Sequence, residues 1–109
     1  MADVLGTFEQ AILLAVLRLG DDAYGRAIWN EVQARLERDV SAGAVHATLV
    51  RLEQKHLLAS RLGPGTEVRA GRPRRYYRLE PAGIRALNAA RAAVNTLWSG
   101  IRWPLRGSA

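Results

Sequence analysis

Six arginines and one glutamate occupy the span from Arg61 to Arg78. Guanidinium groups at that density bind phosphate oxygens well, through paired, charge-assisted hydrogen bonds. Just upstream, Gly43, His46, Ala47, Val50 and Gln54 fall outward on a helical pattern that Ser41 caps and whose inward stripe is Val45, Leu49 and Leu52. The outward face is small and nearly uncharged, with His46 its largest polar group, so it can approach a nucleic-acid groove without steric conflict. Base edges would be met by such a face, and the backbone by the arginines, which position a protein without reading sequence. The candidate phosphate ligands are Arg69, Arg72, Arg74 and Arg75. A solvated basic surface would explain the charge equally well; the groove-reading helix beside it is what favours phosphate.

The same residues argue against catalysis. Cysteine is absent, so disulfide and thiolate chemistry are excluded. His46 and His56 stand ten apart with no local ligand set, which makes a metal site unexpected. Neither G-x-S-x-G nor a P-loop occurs. Asp21-Asp22 reads as a helix cap rather than an acid pair. No cofactor is expected.

The elements that must position these residues follow from periodicity and caps. A first helix is expected over Phe8–Leu19, capped by Thr7 with Gln10 completing a capping box, and stopped by Gly20. It is apolar almost all round, which implies burial partly against another subunit. A second helix follows Asp21-Asp22, with Tyr24, Ile28, Val32 and Leu36 near the helical period. Ser41 caps a third helix that ends near Lys55-His56, His56 standing where a left-handed residue is usual. Leu57–Leu62 reads as a strand broken by Gly63-Pro64-Gly65, and Arg74–Leu79 as the return strand. The intervening loop is longer than the ~2–5 residues of common hairpins, as suits a finger lying against phosphates. Pro81 opens a fourth helix reaching about Gly100. Its stripe of Ile84, Leu87, Val94, Leu97, Trp98 and Ile101 needs the protein's own core or a second subunit to cover it.

At 109 residues the chain fits one modest core. Residues 1–54 carry five Arg against eight Asp and Glu, whereas residues 55–109 carry one Lys and ten Arg against two Glu. That asymmetry favours an anionic partner for the second half. Arginine outnumbers lysine 15 to 1, which a GC-rich genome would also produce. The longest apolar run, Ala11–Leu17, falls short of the ~20 residues of a membrane helix. The start, MADVLGTFEQ, lacks the pattern of a secretory signal, and a cytoplasmic setting is expected.

Helix, helix, helix, strand, wing, strand, helix is the order of a winged helix-turn-helix closed by one more helix. In that order the chain resembles the PadR family of bacterial winged-helix transcriptional regulators. The likeness runs from Leu5 to Leu87. It rests on LGTFEQAILLAVLRLGDDAYG, SAGAVHATLVRLEQKHLL, GRPRRYYRLEPAG and the C-terminal helix, with Gly71 to Leu79 its most specific piece. His46 stands where the family usually has Tyr, His56 where it usually has Gly, and Glu80 where Thr is a common cap. The single C-terminal helix resembles the short class of the family.

The resemblance implies a homodimeric repressor that binds double-stranded DNA. Each subunit would put its third helix in a major groove and its wing on the adjacent backbone or minor groove, with Tyr24 near the backbone. The first and fourth helices would build the dimer, through Phe8, Ile12, Leu87, Val94, Leu97, Trp98 and Ile101. Many relatives release DNA on binding a small aromatic or cationic compound. Trp98 packs the dimer or stacks such a ligand near the two-fold axis. The expected fold is mainly α with a small β-hairpin: a winged helix-turn-helix over residues 1–80 and a C-terminal dimerisation helix over 81–109. Two other functions fit the residues: a winged-helix protein-interaction module whose basic wing only aids solubility, and a nonspecific nucleic-acid binder.

Overall fold

The computed structural model describes residues 5–65 and 73–107. Helix α1 (Thr7–Leu19) buries Ile12, Leu13, Ala15 and Val16 and packs on every later helix and on the hairpin. It starts one residue before the expected Phe8. Its cap is therefore Gly6, not Thr7, and the third helical position falls on Glu9. The Gly6 N–H donates to Glu9 Oε1 at 3.1 Å, while Gln10 reaches back to the Leu5 carbonyl at 3.0 Å.

Gly20, at φ 58°, ends α1 and leads into a 3-10 turn, Gly20–Asp22. The two aspartates sit in that turn and do not cap the second helix. Instead the chain turns at Ala23, at φ −84° and ψ 77°, and is extended at Tyr24, because the return strand of the hairpin claims both residues. The Tyr77 N–H donates to the Ala23 carbonyl at 2.8 Å, and Tyr24 forms an isolated antiparallel bridge with Tyr76. Helix α2 (Gly25–Leu36) begins only after this contact, with Tyr24 at its cap position.

Two α2 side chains secure the connector to the next helix. The Trp29 indole N–H donates to the Val40 carbonyl at 2.6 Å, and the Val40 N–H donates to Gln33 Oε1 at 3.0 Å. Helix α3 (Ala42–Gln54) is capped by Ser41, whose Oγ accepts the Ala44 N–H at 3.0 Å. Val45, Thr48, Leu49 and Leu52 face inward. The helix ends as expected on a left-handed His56, at φ 61°.

Strands β1 (Leu58–Gly65) and β2 (Pro73–Leu79) pair antiparallel, from Leu58 opposite Leu79 to Leu62 opposite Arg75. Beyond Leu62 the register shifts, and Gly65 pairs with Pro73. Gly63-Pro64-Gly65 is thus an irregularity inside the strand, where a break was expected. Gly63 is needed there: a Cβ on it would lie 2.5 Å from Cε1 of the Tyr76 ring that crosses beneath.

Helix α4 (Pro81–Trp98) opens with proline in its first turn, and Glu80 gives it no side-chain cap. Its start is tied down by the backbone, through the Glu80 N–H on the Leu57 carbonyl at 3.0 Å. Gly83 lies directly under that carbonyl, where any Cβ would collide. Ala90 is the last buried residue of α4; from Arg91 to Trp98 every residue is exposed.

Candidate nucleic-acid interface

The outward face of α3 carries Ser41, Gly43, His46, Ala47 and Val50, all exposed. Adding a Cβ at Gly43 would meet nothing within 4 Å, so this end of the helix is open. Beside it stands the base of the hairpin, where aromatic rings hold arginines in fixed positions. Tyr24 and Tyr76 meet edge to face, with ring centres 5.7 Å apart at 65°. The Arg74 guanidinium lies 4.2 Å from the centre of the Tyr24 ring, and that of Arg61 lies 5.0 Å from the centre of Tyr76. Stacked guanidinium groups keep their N–H edges available and lose less freedom when they meet an anion.

Arg75 is held differently. It donates to Ser60 Oγ at 2.9 Å, and Ser60 in turn donates to Glu53 Oε2 at 2.7 Å. One hydrogen-bonded line therefore joins β2, β1 and α3, and sets the hairpin relative to the helix. Arg69 and Arg72 lie outside the described residues.

Between α2, α3 and β2 the surface opens into a cavity of about 370 Å³. Tyr24, Arg26, Trp29, Val45, His46, Leu49, Arg74 and Arg75 are among its lining residues. The Arg74 Nε is buried and finds no acceptor among the described residues. Sequence reasoning assigned neither Arg26 nor Trp29 to this face. The signal available was their spacing from Tyr24, but it gains meaning only once β2 is known to cross there.

The sequence match decides what kind of protein this is. The model of the transcriptional regulator PadR-like family matches residues 13–89. The chain belongs to the PadR-like family. A PadR family transcriptional regulator from Eggerthella lenta is 30% identical, with a TM-score of 0.64 over 83% of this chain and 76% of that one. A PadR-like transcription factor from Bacteroides fragilis is 27% identical, with a TM-score of 0.71 over 88% and 87%. The fold alone is shared with a mutant of MepR from S. aureus bound to an oligodeoxyribonucleotide, at 16% identity and a TM-score of 0.60 over 94% and 67%. No curated protein matched the chain. As a member of the PadR-like family the protein is a DNA-binding transcriptional regulator with a winged-helix fold, and not an enzyme.

Residues proposed from sequence for the dimer or effector separate into three groups. Ile12 is fully buried in the chain's own core and has no surface left for a partner. An apolar residue on an all-round apolar helix cannot be assigned inward or outward until its neighbours are placed. Phe8 and Leu87 are partly buried against the core. Val94, Leu97, Trp98 and Ile101 are exposed, Leu97 at 79%. An apolar cleft of about 510 Å³ separates α1 from α4, lined by Leu14, Leu17, Leu87 and Val94 with Gln10 and Arg91. Among the described residues no helix is long and apolar enough to cross a membrane, and no cluster of three His, Asp or Glu could hold a metal ion.

Proposed function

We propose that this cytoplasmic PadR-like regulator is a homodimeric repressor that a small aromatic or cationic compound releases from its operator. In this reading residues 1–80 bind DNA and residues 81–109 hold the dimer. The observation that carries the DNA half is the juxtaposition at the base of the wing. An open, uncharged α3 face lies beside Arg74 and Arg75, both fixed by rings or hydrogen bonds. Ser41, Gly43, His46 and Ala47 would meet the major groove, and the arginines with Tyr24 would meet phosphates. Arg69 and Arg72 would extend those backbone contacts along the wing.

The dimer half is supported by the second part of α4. Val94, Leu97, Trp98 and Ile101 together expose more apolar surface than a free helix end leaves in water without cause. Leu87 lines the α1–α4 cleft together with Val94. Trp98, only 38% exposed, either packs the two-fold interface or stacks a flat effector there.

The test is selection of bound fragments from a random duplex pool at near-physiological salt, followed by affinity for the winner against scrambled DNA. The expected ratio is ~10³ or more. A two-fold symmetric winner with half-sites about one helical turn apart would match a dimer. A ratio near one with strong salt dependence would leave a nonspecific binder, and no duplex binding at all would leave a protein-interaction module.

A further inference from the structure

We propose that Ser60 and Glu53 are positioning residues for DNA binding, which hold the Arg75 guanidinium ready for a backbone phosphate; this rests on the DNA reading given above. The placement begins with strand register. Ser60 lies opposite Tyr77 and Leu62 opposite Arg75, so Ser60 and Arg75 are diagonal neighbours on one face of the hairpin. Tyr77, on the same face, is 6% exposed, so this face is the one turned to the core. Glu53 meets it from the last turn of α3. Arg75 and His46 line one opening, which sets the guanidinium beside the outward face of that helix.

The chemistry of the three groups fixes the direction of the line. A guanidinium only donates and a carboxylate only accepts. The hydroxyl between them must therefore accept from Arg75, at 2.9 Å, and donate to Glu53, at 2.7 Å. No other orientation of that proton satisfies both partners. Each bond has one ionised partner, which makes it the stronger kind. Ser60 also acts as a spacer. Among the described residues no direct ion pair joins Arg75 to Glu53. A direct fork-to-fork pair would occupy the edge that a phosphate needs. With Ser60 between them, the guanidinium spends one N–H on the protein and the residue stays exposed. Held in this way, it has already lost much of the rotamer freedom that phosphate contact would otherwise cost. Because Glu53 belongs to α3, the same line registers the wing arginine against the helix assigned to the groove.

A double-mutant cycle on Ser60 and Arg75 tests this in the full chain. Fluorescence anisotropy reads the affinity for the selected and the scrambled duplex at several salt concentrations. Ser60→Ala changes no charge, so net electrostatics alone predict no loss. The expected result is affinity lower by about three- to tenfold for both duplexes alike, the cost of ordering one long side chain. Arg75→Ala should weaken both duplexes more and lower the salt slope by roughly one. In the Arg75→Ala background Ser60→Ala should add nothing, because the hydroxyl acts only through that guanidinium. Ser60→Thr keeps a hydroxyl on the strand and should restore binding. Glu53→Ala removes a negative charge, which would tighten binding if charge alone mattered. It should weaken binding instead, and only while Arg75 is present. Circular dichroism and urea unfolding confirm that each variant is folded under assay conditions. Wild-type affinity in Ser60→Ala, or an equal loss with and without Arg75, would overturn the positioning role. Tighter binding by Glu53→Ala would remove Glu53 from it. Wild-type protein that binds neither duplex would sink the DNA reading itself, an outcome distinct from both.

Discussion

Two glycines separate recognition from folding at the residue scale. Gly43 has open space around its missing Cβ, on the outward face of α3. Gly43→Ala should leave stability unchanged or raise it by up to about 1 kcal/mol. If this face enters a groove, the added methyl should weaken operator binding about tenfold, or ~1.4 kcal/mol. Gly63 is the reverse case. Its Cβ would strike the Tyr76 ring, so Gly63→Ala must displace the Tyr24–Tyr76 pair and should cost about 1–3 kcal/mol in urea unfolding. Equal effects of the two variants on stability would contradict this division. His56 holds a left-handed backbone that glycine adopts freely. His56→Gly should therefore raise the unfolding free energy by about 1 kcal/mol, and the midpoint with it. An unchanged or lowered midpoint would mean that the imidazole makes a compensating contact.

At the scale of elements, one carboxylate joins the start of α1 to the end of α3. Glu9 Oε2 lies 3.4 Å from Lys55 Nζ and 3.8 Å from Arg51 Nε, while its other oxygen accepts the Gly6 N–H. Burial by itself pushes this carboxyl up, but the Gly6 N–H, Lys55 and Arg51 together outweigh burial and hold it below its usual range. A carboxyl with a depressed folded-state value contributes stability above its unfolded value and loses it as pH falls through the folded one. Glu9→Gln should thus be less stable than wild type at pH 7, by about 0.5–1.5 kcal/mol. The gap should close as pH drops below the ordinary carboxylate range of about 4–4.5. Urea midpoints at pH 7 and pH 3 measure it, and a constant gap would assign the effect to packing. Tyr77 behaves oppositely. Burial raises its phenol, Arg75 offsets that in part and Glu53 adds to it. Its contribution is present below the unfolded value near 10 and disappears as pH rises through the higher folded one.

The whole molecule is elongated, at 58 × 32 × 20 Å. Its radius of gyration, 16.4 Å, exceeds the ~13 Å expected of a compact chain this long. The excess has an evident source in α4 and the tail, where every described residue from Arg91 to Gly107 is exposed. A helix apolar on one side and unsupported by its own core gains from a second copy. Leu97→Asp should therefore halve the mass seen by light scattering while leaving a folded subunit. Wild-type stability should rise with protein concentration and that of the variant should not. A wild-type mass equal to one chain would remove the dimer.

Much of this was legible in the residues. Ser41 as a cap, the inward stripe of Val45, Leu49 and Leu52, the left-handed His56 and Pro81 opening α4 all depend on local rules: a side-chain oxygen near a free N–H, a period of 3.6, a ring-locked φ. The resemblance to the PadR-like family rested on the same local text. What tertiary structure alone decided involves partners far apart in sequence. Asp21-Asp22 lost the role of cap because β2, more than fifty residues on, hydrogen-bonds Ala23 and bridges Tyr24. Gly63-Pro64-Gly65 reads as a break until the Tyr76 ring is seen to need the space. Ile12 and Leu97 are both apolar helix residues in the sequence, yet one is sealed in the core and the other stands in water. Periodicity marks a face as apolar; only the packed neighbours determine which apolar faces remain to be covered.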